Sequence, residues 1–380
     1  MAASVERENL ESIAQIEWHI DPLSGAITRA TSQRRRGHPL FEQLVECEHP
    51  GLVVFTSGSS GKPKAILHDL ERVAMKFATQ RKPWRMLLML LMDHFGGFNT
   101  LLACLSDGGT GICVSERSPL HVCQAIERDR AHLLPTTPTF LAMLIGSELW
   151  KTHDLSSLEL ITYGAEPMPS AVLARLRKIL PHVQLKQTYG LSELGVLRSS
   201  SPEPDSLWIR VGGDGFETKV VDGLLYIRSE SNMLGYLNAP SPIDEDGWMN
   251  TGDLVETRNG LIRFLGRKNE VINVGGQKVF PTEVENVIVE AEGVSEAVVT
   301  STPHSLLGNA VVAKVALDQH EDPKSAANRL RDHCRQHLQK YKVPMRFEFV
   351  ELSELMTERA KKRRISQQRP DALIDSRSDV

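Results

Sequence analysis

The stretch best equipped for chemistry follows an apolar run at residues 52–55 and is rich in glycine, hydroxyl and lysine residues. It reads Thr56-Ser57-Gly58-Ser59-Ser60-Gly61-Lys62-Pro63-Lys64. Glycines let the backbone curl so that its amides converge on an anion, while hydroxyls donate hydrogen bonds and lysines supply charge. The pattern predicts a polyphosphate loop after a short buried strand. Only two residues separate Gly58 from Gly61, so this is not a Walker loop, and a flexible surface loop is the alternative.

A histidine at the end of a second apolar run is a further candidate. Residues 86–92 are all apolar, which predicts a fully buried strand, and they lead into Asp93-His94-Phe95-Gly96-Gly97. In α/β proteins ligands bind beyond the carboxyl ends of strands, which makes His94 a candidate site residue. A hydrogen-bonded core histidine is the alternative.

Composition narrows the class of protein. A chain of 380 residues favours two domains, and 41% apolar with 24% charged residues is typical of a soluble globular protein. The formal net charge of −4 argues against nucleic acid as a partner. The five cysteines show no zinc-binding spacing, the N-terminus does not resemble a secretory signal, and no apolar run is long enough to span a bilayer. We therefore expect a cytoplasmic protein without nucleic-acid or membrane partners.

The order of predicted elements indicates an α/β fold. Predicted strands and helices alternate over residues 52–187, which is typical of βαβ units and a largely parallel sheet. Short strands with Gly and Asp turns follow over about residues 206–265, and beyond Gly266 the pattern predicts a small α+β module. The predicted architecture is a large N-terminal domain with mixed and parallel sheets and a β-rich subdomain, followed by a small α+β C-terminal domain.

Three segments carry expectations of their own. Residues 1–50 look irregular, with a basic cluster at 34–36. Residues 69–80 can form a helix. The polar tail from about residue 367 is predicted to be disordered.

Besides the loop at 56–64, four short motifs stand out. They are Gly164-Ala165-Glu166-Pro167, Tyr189-Gly190-Leu191-Ser192-Glu193, Asn250-Thr251-Gly252-Asp253-Leu254, and Gly266-Arg267-Lys268-Asn269-Glu270-Val271-Ile272 with Gly275-Gly276. In this order they resemble the motifs TSG[ST][ST]GxPKG, GGEP, YGxTE, TGD and GRxxdxI…G of the adenylate-forming superfamily of acyl-CoA synthetases, peptide-synthetase adenylation domains and luciferases. Ala65 replaces the last glycine of the phosphate loop, and Ser192 replaces the usual threonine.

The resemblance implies an activity and its cofactors. A substrate carboxylate would attack the α-phosphorus of ATP, expel pyrophosphate and become an acyl-AMP. The loop at 56–64 would hold the β- and γ-phosphates, Ser192 the α-phosphate, and Glu193 the metal ion Mg²⁺. The thiol of CoA or of carrier-protein phosphopantetheine would then accept the acyl group.

The other implied roles concern the nucleoside and the acid. Tyr189 would stack on adenine beside the turn at 164–167, Asp253 would accept both ribose hydroxyls with Arg267 nearby, and His94 would border the carboxylate. The implied nucleotide-binding residues are Thr56, Ser57, Gly58, Ser59, Ser60, Gly61, Lys62, Lys64, Gly164, Ala165, Glu166, Pro167, Tyr189, Gly190, Asp253, Arg267 and Lys278.

A terminal lysine is implied to be catalytic. The superfamily motif PxTxxGKxxR resembles Leu355-Met356-Thr357-Glu358-Arg359-Ala360-Lys361-Lys362-Arg363-Arg364, in which Leu355 replaces the proline and Ala360 the glycine. Counted from Thr357, Lys361 takes the lysine position, and Lys362 is a rival shifted by one residue. A basic import signal or a solvated helix face is the alternative.

The resemblance also implies a division into domains. It predicts a nucleotide- and carboxylate-binding domain over residues 1–266 and a mobile lid domain over 267–380, with a hinge near Asn269. Superfamily members carry a longer region before the phosphate loop, which is reached here at residue 56, so a standard acyl pocket and CoA channel are in doubt.

The sequence leaves several readings of the reaction open. The leading prediction is a carboxylate ligase that acts on a carboxylic acid, an aromatic acid of secondary metabolism being the favoured guess, and delivers it to CoA or to an acyl-carrier protein. Transfer of the adenylate to a non-thiol acceptor and a nucleotide-binding pseudoenzyme are the alternatives. A homodimer is left open.

Overall fold

The computed structural model describes residues 2–30, 37–57, 63–197, 199–203, 206–213, 215–355 and 362. The chain divides into two compact units, Met1–Val271 and Ile272–Val380. Within the described residues, no helix combines the length and the apolarity that crossing a bilayer requires.

The first unit contains helices and strands throughout its length. Its described helices are α1 (Ala2–Ala14), α2 (Pro39–Glu46), α3 (Leu70–Met75), α4 (Phe95–Ser106), α5 (Pro119–Asp129), α6 (Pro138–Gly146) and α7 (Ser170–Ile179), with 3-10 turns at Leu149–Lys151 and Lys268–Glu270. Its described strands are β1 (Trp18–Ile20), β2 (Ile27–Arg29), β3 (Gly51–Ser57), β4 (Pro63–Asp69), β5 (Arg85–Leu87), β6 (Thr110–Ile112), β7 (Leu133–Thr136), β8 (Leu160–Tyr163), β9 (Gln184–Gln187), β10 (Tyr189–Leu191), β11 (Gly195–Leu197), β12 (Ser199–Ser200), β13 (Arg210–Val211), β14 (Phe216–Val221), β15 (Leu224–Ser229), β16 (Gly235–Tyr236), β17 (Trp248–Arg258) and β18 (Leu261–Arg267).

A parallel sheet forms the centre of this unit. Its strand order is β6-β5-β7-β8-β9, and every pairing within it is parallel. Parallel strands need helical crossovers, and two of these helices begin at sequence-encoded caps: Ser118 accepts a hydrogen bond from the His121 amide before α5, and Thr137 accepts one from the Phe140 amide before α6. The predicted α/β fold with a parallel sheet is therefore confirmed.

The antiparallel pair β10–β11 and two larger antiparallel sheets also carry residues of the candidate site. The hairpin β3–β4 pairs with β16 in the order β16-β4-β3. A second sheet, β14-β15-β17-β18, covers the region in which the sequence predicts a β-rich subdomain.

The second unit is a small α+β module, as predicted. Its described elements are β19 (Ile272–Val274), β20 (Gln277–Val279), α8 (Pro281–Glu290), β21 (Val294–His304), β22 (Gly308–Leu317), α9 (Pro323–His337), β23 (Arg346–Phe349), and 3-10 turns at Lys340–Lys342 and Leu352–Leu355. The sheet order is β20-β19-β22-β21, and β23 pairs in parallel with β22. Asp322 caps α9 through a 2.9 Å hydrogen bond from the Ser325 amide, as its position before Pro323 predicts. The tail from residue 367 lies outside the described residues.

Three local expectations are wrong. The described residues of the segment 1–50 are not irregular, because they contain α1, the β1–β2 hairpin and α2. The basic cluster at 34–36 lies outside the described residues. The strand predicted over residues 86–92 is only β5, and the helix predicted over 69–80 is only α3. An apolar run indicates burial but does not specify the backbone conformation. Met89 is buried although it follows the end of the strand.

Gly97 in the first turn of α4 is required by a close backbone contact. A Cβ atom there would lie 2.1 Å from the carbonyl oxygen of Leu91, whereas one at Gly96 would have no atom nearer than 3.8 Å. We expect Gly97→Ala to destabilise the first unit by about 2 to 3 kcal/mol, because the contact is with backbone that cannot easily move.

The matched control is Gly96→Ala in the same helical turn. It should be neutral or stabilising by up to about 1 kcal/mol, since alanine favours helix. Thermal unfolding of the two variants measures the difference, and equal melting temperatures would contradict the assignment of Gly97 as a packing glycine.

Candidate active site

The two strands that flank the predicted phosphate loop, β3 and β4, are held in register on both sides of residues 58–62. Thr56 pairs with Lys64 and Ser57 with Pro63. Asn238 binds the outgoing strand at two points: its Oδ1 accepts from the Ala65 amide at 2.9 Å, and its Nδ2 donates to the Pro63 carbonyl at 2.8 Å. The predicted loop residues Gly58, Ser59, Ser60, Gly61 and Lys62 lie outside the described residues.

Lys64 and Glu193 meet at one tyrosine. The Lys64 ammonium lies 4.7 Å from the ring centroid of Tyr236, and the Tyr236 hydroxyl donates to Glu193 Oε1 at 2.7 Å. Burial and the neighbouring Glu193 carboxylate raise the pKa of the Tyr236 phenol well above its ordinary value. Tyr236 is therefore a neutral hydrogen-bond donor at physiological pH.

Ser192 is fixed through its backbone by a buried histidine. His68 Nε2 lies 2.7 Å from the Ser192 carbonyl oxygen, and its ring lies 4.9 Å from that of Phe95. Burial lowers the pKa of His68 to about 4, so the ring is neutral and Nε2 donates this hydrogen bond. Ser192 itself lies between the β10 strand and Glu193, with its side chain partly exposed.

Asp253, Tyr189 and Arg267 form one hydrogen-bonded group. The Tyr189 hydroxyl donates to Asp253 Oδ2 at 2.6 Å, and Arg267 Nε lies 3.1 Å from Asp253 Oδ1. Desolvation raises the pKa of Asp253, with Arg267 and Tyr189 opposing the rise, and burial beside this carboxylate raises the pKa of Tyr189 as well. The Tyr189 ring stacks on Phe264 at 4.5 Å, so one of its faces is already covered by protein.

The turn at 164–167 follows β8 and contacts two neighbouring segments. A Cβ atom at Gly164 would lie 2.5 Å from Thr188 Oγ1, which explains the glycine there, and Ala165 adopts a left-handed φ of 69°. The Glu166 carboxylate accepts from the hydroxyl of Thr139 at 2.6 Å, which anchors the turn to the first turn of α6. Pro167 follows with a partly buried side chain.

Gly190 and His94 have backbone roles in the site. A Cβ atom at Gly190 would lie 2.4 Å from the carbonyl oxygen of Gly195, so the β10–β11 pairing requires a glycine at this position. His94 is the N-cap residue of α4, with a partly exposed side chain. The neighbouring Phe95 is buried against Gly195 and His68, which brings α4 close to the Ser192 segment.

The second unit holds the other predicted residues. Lys278 is exposed on β20, after the tight turn in which Gly275 and Gly276 have φ values of 55° and 85°. Lys361 lies outside the described residues.

Lys362 is buried in the second unit. Its ammonium lies 3.2 Å from Glu285 Oε2 and 2.9 Å from Glu296 Oε1, and it donates to the Ala297 carbonyl at 3.1 Å. The Glu285 and Glu296 side chains are 0% and 2% exposed. These contacts make Lys362 a cation of the core of the second unit.

The structure brings two predicted groups together in the first unit. Tyr189, which donates to Asp253 at 2.6 Å, and Glu193, which accepts from Tyr236 at 2.7 Å, belong to the same short segment, so the Asp253 group and the Lys64–Tyr236–Glu193 group meet along residues 189–193. Glu193 and Asp253 supply hard carboxylate oxygens of the kind that Mg²⁺ prefers, although no cluster of three or more metal-binding side chains occurs among the described residues.

Sequence reasoning missed three residues of this region. Tyr236, Asn238 and His68 reach the site through contacts with residues 43, 173 and 124 positions away along the chain. The available signal is weak: Gly235-Tyr236 lies within the largely apolar run 233–237, which does not by itself indicate a site.

Comparison with known proteins identifies the family. A model of the AMP-binding enzyme family matches residues 4–237, and a model of the AMP-binding enzyme C-terminal domain matches residues 283–362. The chain therefore belongs to the AMP-binding enzymes, the adenylate-forming superfamily that its motifs resemble.

Two curated relatives from Mycobacterium tuberculosis show how far the similarity extends. A 3-[(3aS,4S,7aS)-7a-methyl-1,5-dioxo-octahydro-1H-inden-4-yl]propanoyl:CoA ligase is 32% identical over 323 residues, covering 79% of this chain and 62% of the relative. A medium/long-chain-fatty-acid–[acyl-carrier-protein] ligase is 31% identical over 366 residues, covering 84% of this chain and 66% of the relative. The chain thus spans a little less than two thirds of the length of these relatives.

A solved structure extends the comparison to a third acceptor chemistry. The amide bond synthetase McbA from Marinactinospora thermotolerans is 28% identical, with a TM-score of 0.69, and the match covers 87% of this chain and 69% of that one. The three similar proteins are thus a CoA ligase, an acyl-carrier-protein ligase and an amide bond synthetase.

Proposed function

We propose that this protein is an ATP-dependent, AMP-forming carboxylate ligase. A carboxylate oxygen of the substrate forms a bond to the α-phosphorus of ATP, the bond to the bridging oxygen breaks, and pyrophosphate leaves with that electron pair. The product is an acyl-AMP. An acceptor thiol then attacks the acyl carbon, AMP leaves, and the thiol proton passes to solvent.

The observation that carries the proposal is the shared contact of Lys64 and Glu193 with Tyr236. Lys64, a cation that follows the predicted phosphate loop, contacts the face of this ring, and Glu193, a carboxylate suited to a metal, accepts from its hydroxyl. Phosphoryl transfer needs charge neutralisation and positioning more than covalent chemistry, and this region supplies both signs of charge.

We assign the nucleoside to the hydrogen-bonded group of Asp253, Tyr189 and Arg267. Asp253 would accept the ribose hydroxyls, because a carboxylate is a pure acceptor, and Arg267 beside it would keep it ionised despite burial. Tyr189 would stack on adenine with the ring face opposite Phe264, next to the turn at 164–167.

The phosphate chain is assigned to the hairpin and to residues 192–193. Thr56 and Lys64 flank the predicted loop, and Ser192 would bond the α-phosphate. Glu193 would hold Mg²⁺, which would neutralise phosphate charge when it is bound. His94 would border the substrate carboxylate.

The second unit would supply the remaining groups. We assign Lys361 to the carboxylate and α-phosphate, and Lys278 to the phosphate of AMP or to the acceptor. A boundary at residues 266–267 with a hinge near Asn269 is the domain division that accompanies this assignment, and the cytoplasm is the proposed location.

The acceptor is proposed to be a thiol, of CoA or of a carrier protein. The similarity to both kinds of ligase supports this class, and the similarity to an amide bond synthetase makes an amine the second candidate. An aromatic acid is the proposed first substrate.

The test is carboxylate-dependent ATP–pyrophosphate exchange with Mg²⁺, in the absence of any acceptor, across a panel of aliphatic and aromatic acids. Exchange with one class of acid is the expected result. Acceptors are then offered singly: CoA, a phosphopantetheinylated carrier protein and a primary amine. ATP binding without exchange for any acid would overturn the proposal in favour of a nucleotide-binding pseudoenzyme.

A further inference from the structure

The segment 233–238 connects Glu193 to the strand that leaves the phosphate loop. At one end, the Met233 amide donates to the Glu193 carbonyl at 2.9 Å. At the other end, Asn238 holds the backbone of residues 63 and 65 at 2.8 and 2.9 Å. Between these ends β16 pairs with β4, Tyr236 standing opposite Ile66. The segment therefore links two parts of the site that lie far apart in sequence.

Tyr236 is the side chain through which this segment contacts both charges. It is 7% exposed and belongs to a small apolar cluster with Ile66 and Met233, so its ring has little freedom to move. Its hydroxyl donates to Glu193 Oε1, and its ring face lies 4.7 Å from the Lys64 ammonium. A single rigid ring thus contacts an anion through its edge and a cation through its face.

This arrangement keeps both charges available to a ligand. A hydroxyl donor fixes the orientation of a carboxylate without cancelling its charge, and an aromatic face attracts an ammonium group without neutralising it. If the ring were absent, two opposite charges at these positions could pair with each other instead of with a polyphosphate and its cation.

We propose that Tyr236 is a positioning residue that holds the Glu193 carboxylate for a divalent cation and the Lys64 ammonium for the phosphates of ATP. The inference rests on the proposed function, since it concerns the same nucleotide site. It adds a residue that acts through Glu193 and Lys64 and that takes no part in the chemistry itself.

The test measures metal binding directly. Mn²⁺ is titrated into the full-length protein saturated with α,β-methylene-ATP, and bound Mn²⁺ is read by electron paramagnetic resonance. Tyr236→Phe should weaken Mn²⁺ binding by about tenfold, the usual effect of losing a partner of a metal ligand. Tyr236→Leu should also weaken binding of metal-free ATP by about threefold to fivefold, because Lys64 loses the ring.

Tyr226 provides a matched control. Its hydroxyl also has a hydrogen-bond partner, since it accepts from the side-chain Nδ2 of Asn250 at 3.0 Å. Its ring also faces a lysine, the ammonium of Lys219 lying 5.6 Å from the ring centroid. Tyr226→Phe should leave Mn²⁺ binding unchanged. An equal loss in both tyrosine variants would overturn the proposal.

Metal-free AMP binding separates positioning from a general loss of structure. Tyr236→Phe should bind AMP within about twofold of the wild-type protein, because the predicted nucleoside contacts are elsewhere. If the affinities for AMP and for Mn²⁺ fall by the same factor, Tyr236 is merely structural and the proposal is wrong.

Two further results distinguish this inference from the proposed function. Wild-type protein that binds no ATP would contradict the proposed function itself. Wild-type protein that binds Mn²⁺ and ATP normally, with Tyr236→Phe binding Mn²⁺ equally well and Glu193→Gln binding it more weakly, would contradict only the role of Tyr236.

Discussion

Lys361→Ala is expected to reduce carboxylate-dependent ATP–pyrophosphate exchange by about a hundredfold to a thousandfold, the usual cost of removing one group that stabilises charge in a transition state. As the carboxylate bonds to the α-phosphorus, negative charge from both reactants accumulates in one place. An ammonium group at that position lowers the barrier, and alanine cannot replace it. Initial exchange rates at saturating acid and ATP measure the effect.

Lys340→Ala is the matched control for this variant. Lys340 is exposed in the second unit, so its replacement makes the same change in net charge without touching the proposed site. Exchange should be unchanged in Lys340→Ala. Full exchange in Lys361→Ala would contradict the assignment of Lys361 to the carboxylate and α-phosphate.

A second measurement separates the two steps of the reaction. When the acyl-AMP is supplied ready-made, transfer to the acceptor no longer requires attack on ATP. Lys361→Ala should therefore retain most of its acyl-transfer rate. An equal loss in both steps would indicate damage to the second unit as a whole.

The motifs of the proposed nucleotide site could be predicted because each is a local sequence with a local backbone requirement. A side chain at Gly164 would clash with Thr188, and one at Gly190 would clash with Gly195, so the glycines themselves indicate a close contact at these positions. The cap Asp322 is similarly visible, because a capping side chain bonds an amide three residues away. Such short-range signals survive in a single sequence.

The supporting residues of the site could not be predicted, because their contacts depend on register between distant strands. Asn238 meets Ala65 only because β16 lies beside β4, and no property of residue 238 alone encodes that pairing. His68 looks like any polar residue in a strand until Ser192 is placed against it. The strand predicted over residues 86–92 is wrong for a related reason, because apolar residues are buried in strands and in irregular segments alike.

Lys362→Met is expected to destabilise the second unit by about 3 to 5 kcal/mol. In the wild-type protein one ammonium lies between two buried carboxylates, those of Glu285 and Glu296, and it also donates to the Ala297 carbonyl. Methionine fills a similar volume but carries no charge, so both carboxylates would remain buried without a cation. Thermal unfolding and hydrogen exchange of the β21 amides measure the loss, and Lys340→Met, at an exposed position, should change stability by no more than about 0.5 kcal/mol.

The pH dependence of this loss identifies its electrostatic cause. Burial already raises the pKa of Glu296 while Lys362 opposes the rise, so removing Lys362 raises it further. A carboxylate whose pKa is higher in the folded than in the unfolded state binds protons preferentially in the folded state. The free energy of unfolding therefore falls as the pH rises. The difference in the free energy of unfolding between Lys362→Met and the wild-type protein should therefore become smaller as the pH is lowered from about 8 to about 5. Lys362→Met combined with Glu296→Gln, which leaves one uncompensated carboxylate, should recover part of the stability and show a weaker dependence on pH. A gap that stays constant with pH and is not reduced in the double variant would mean that Lys362 contributes packing alone.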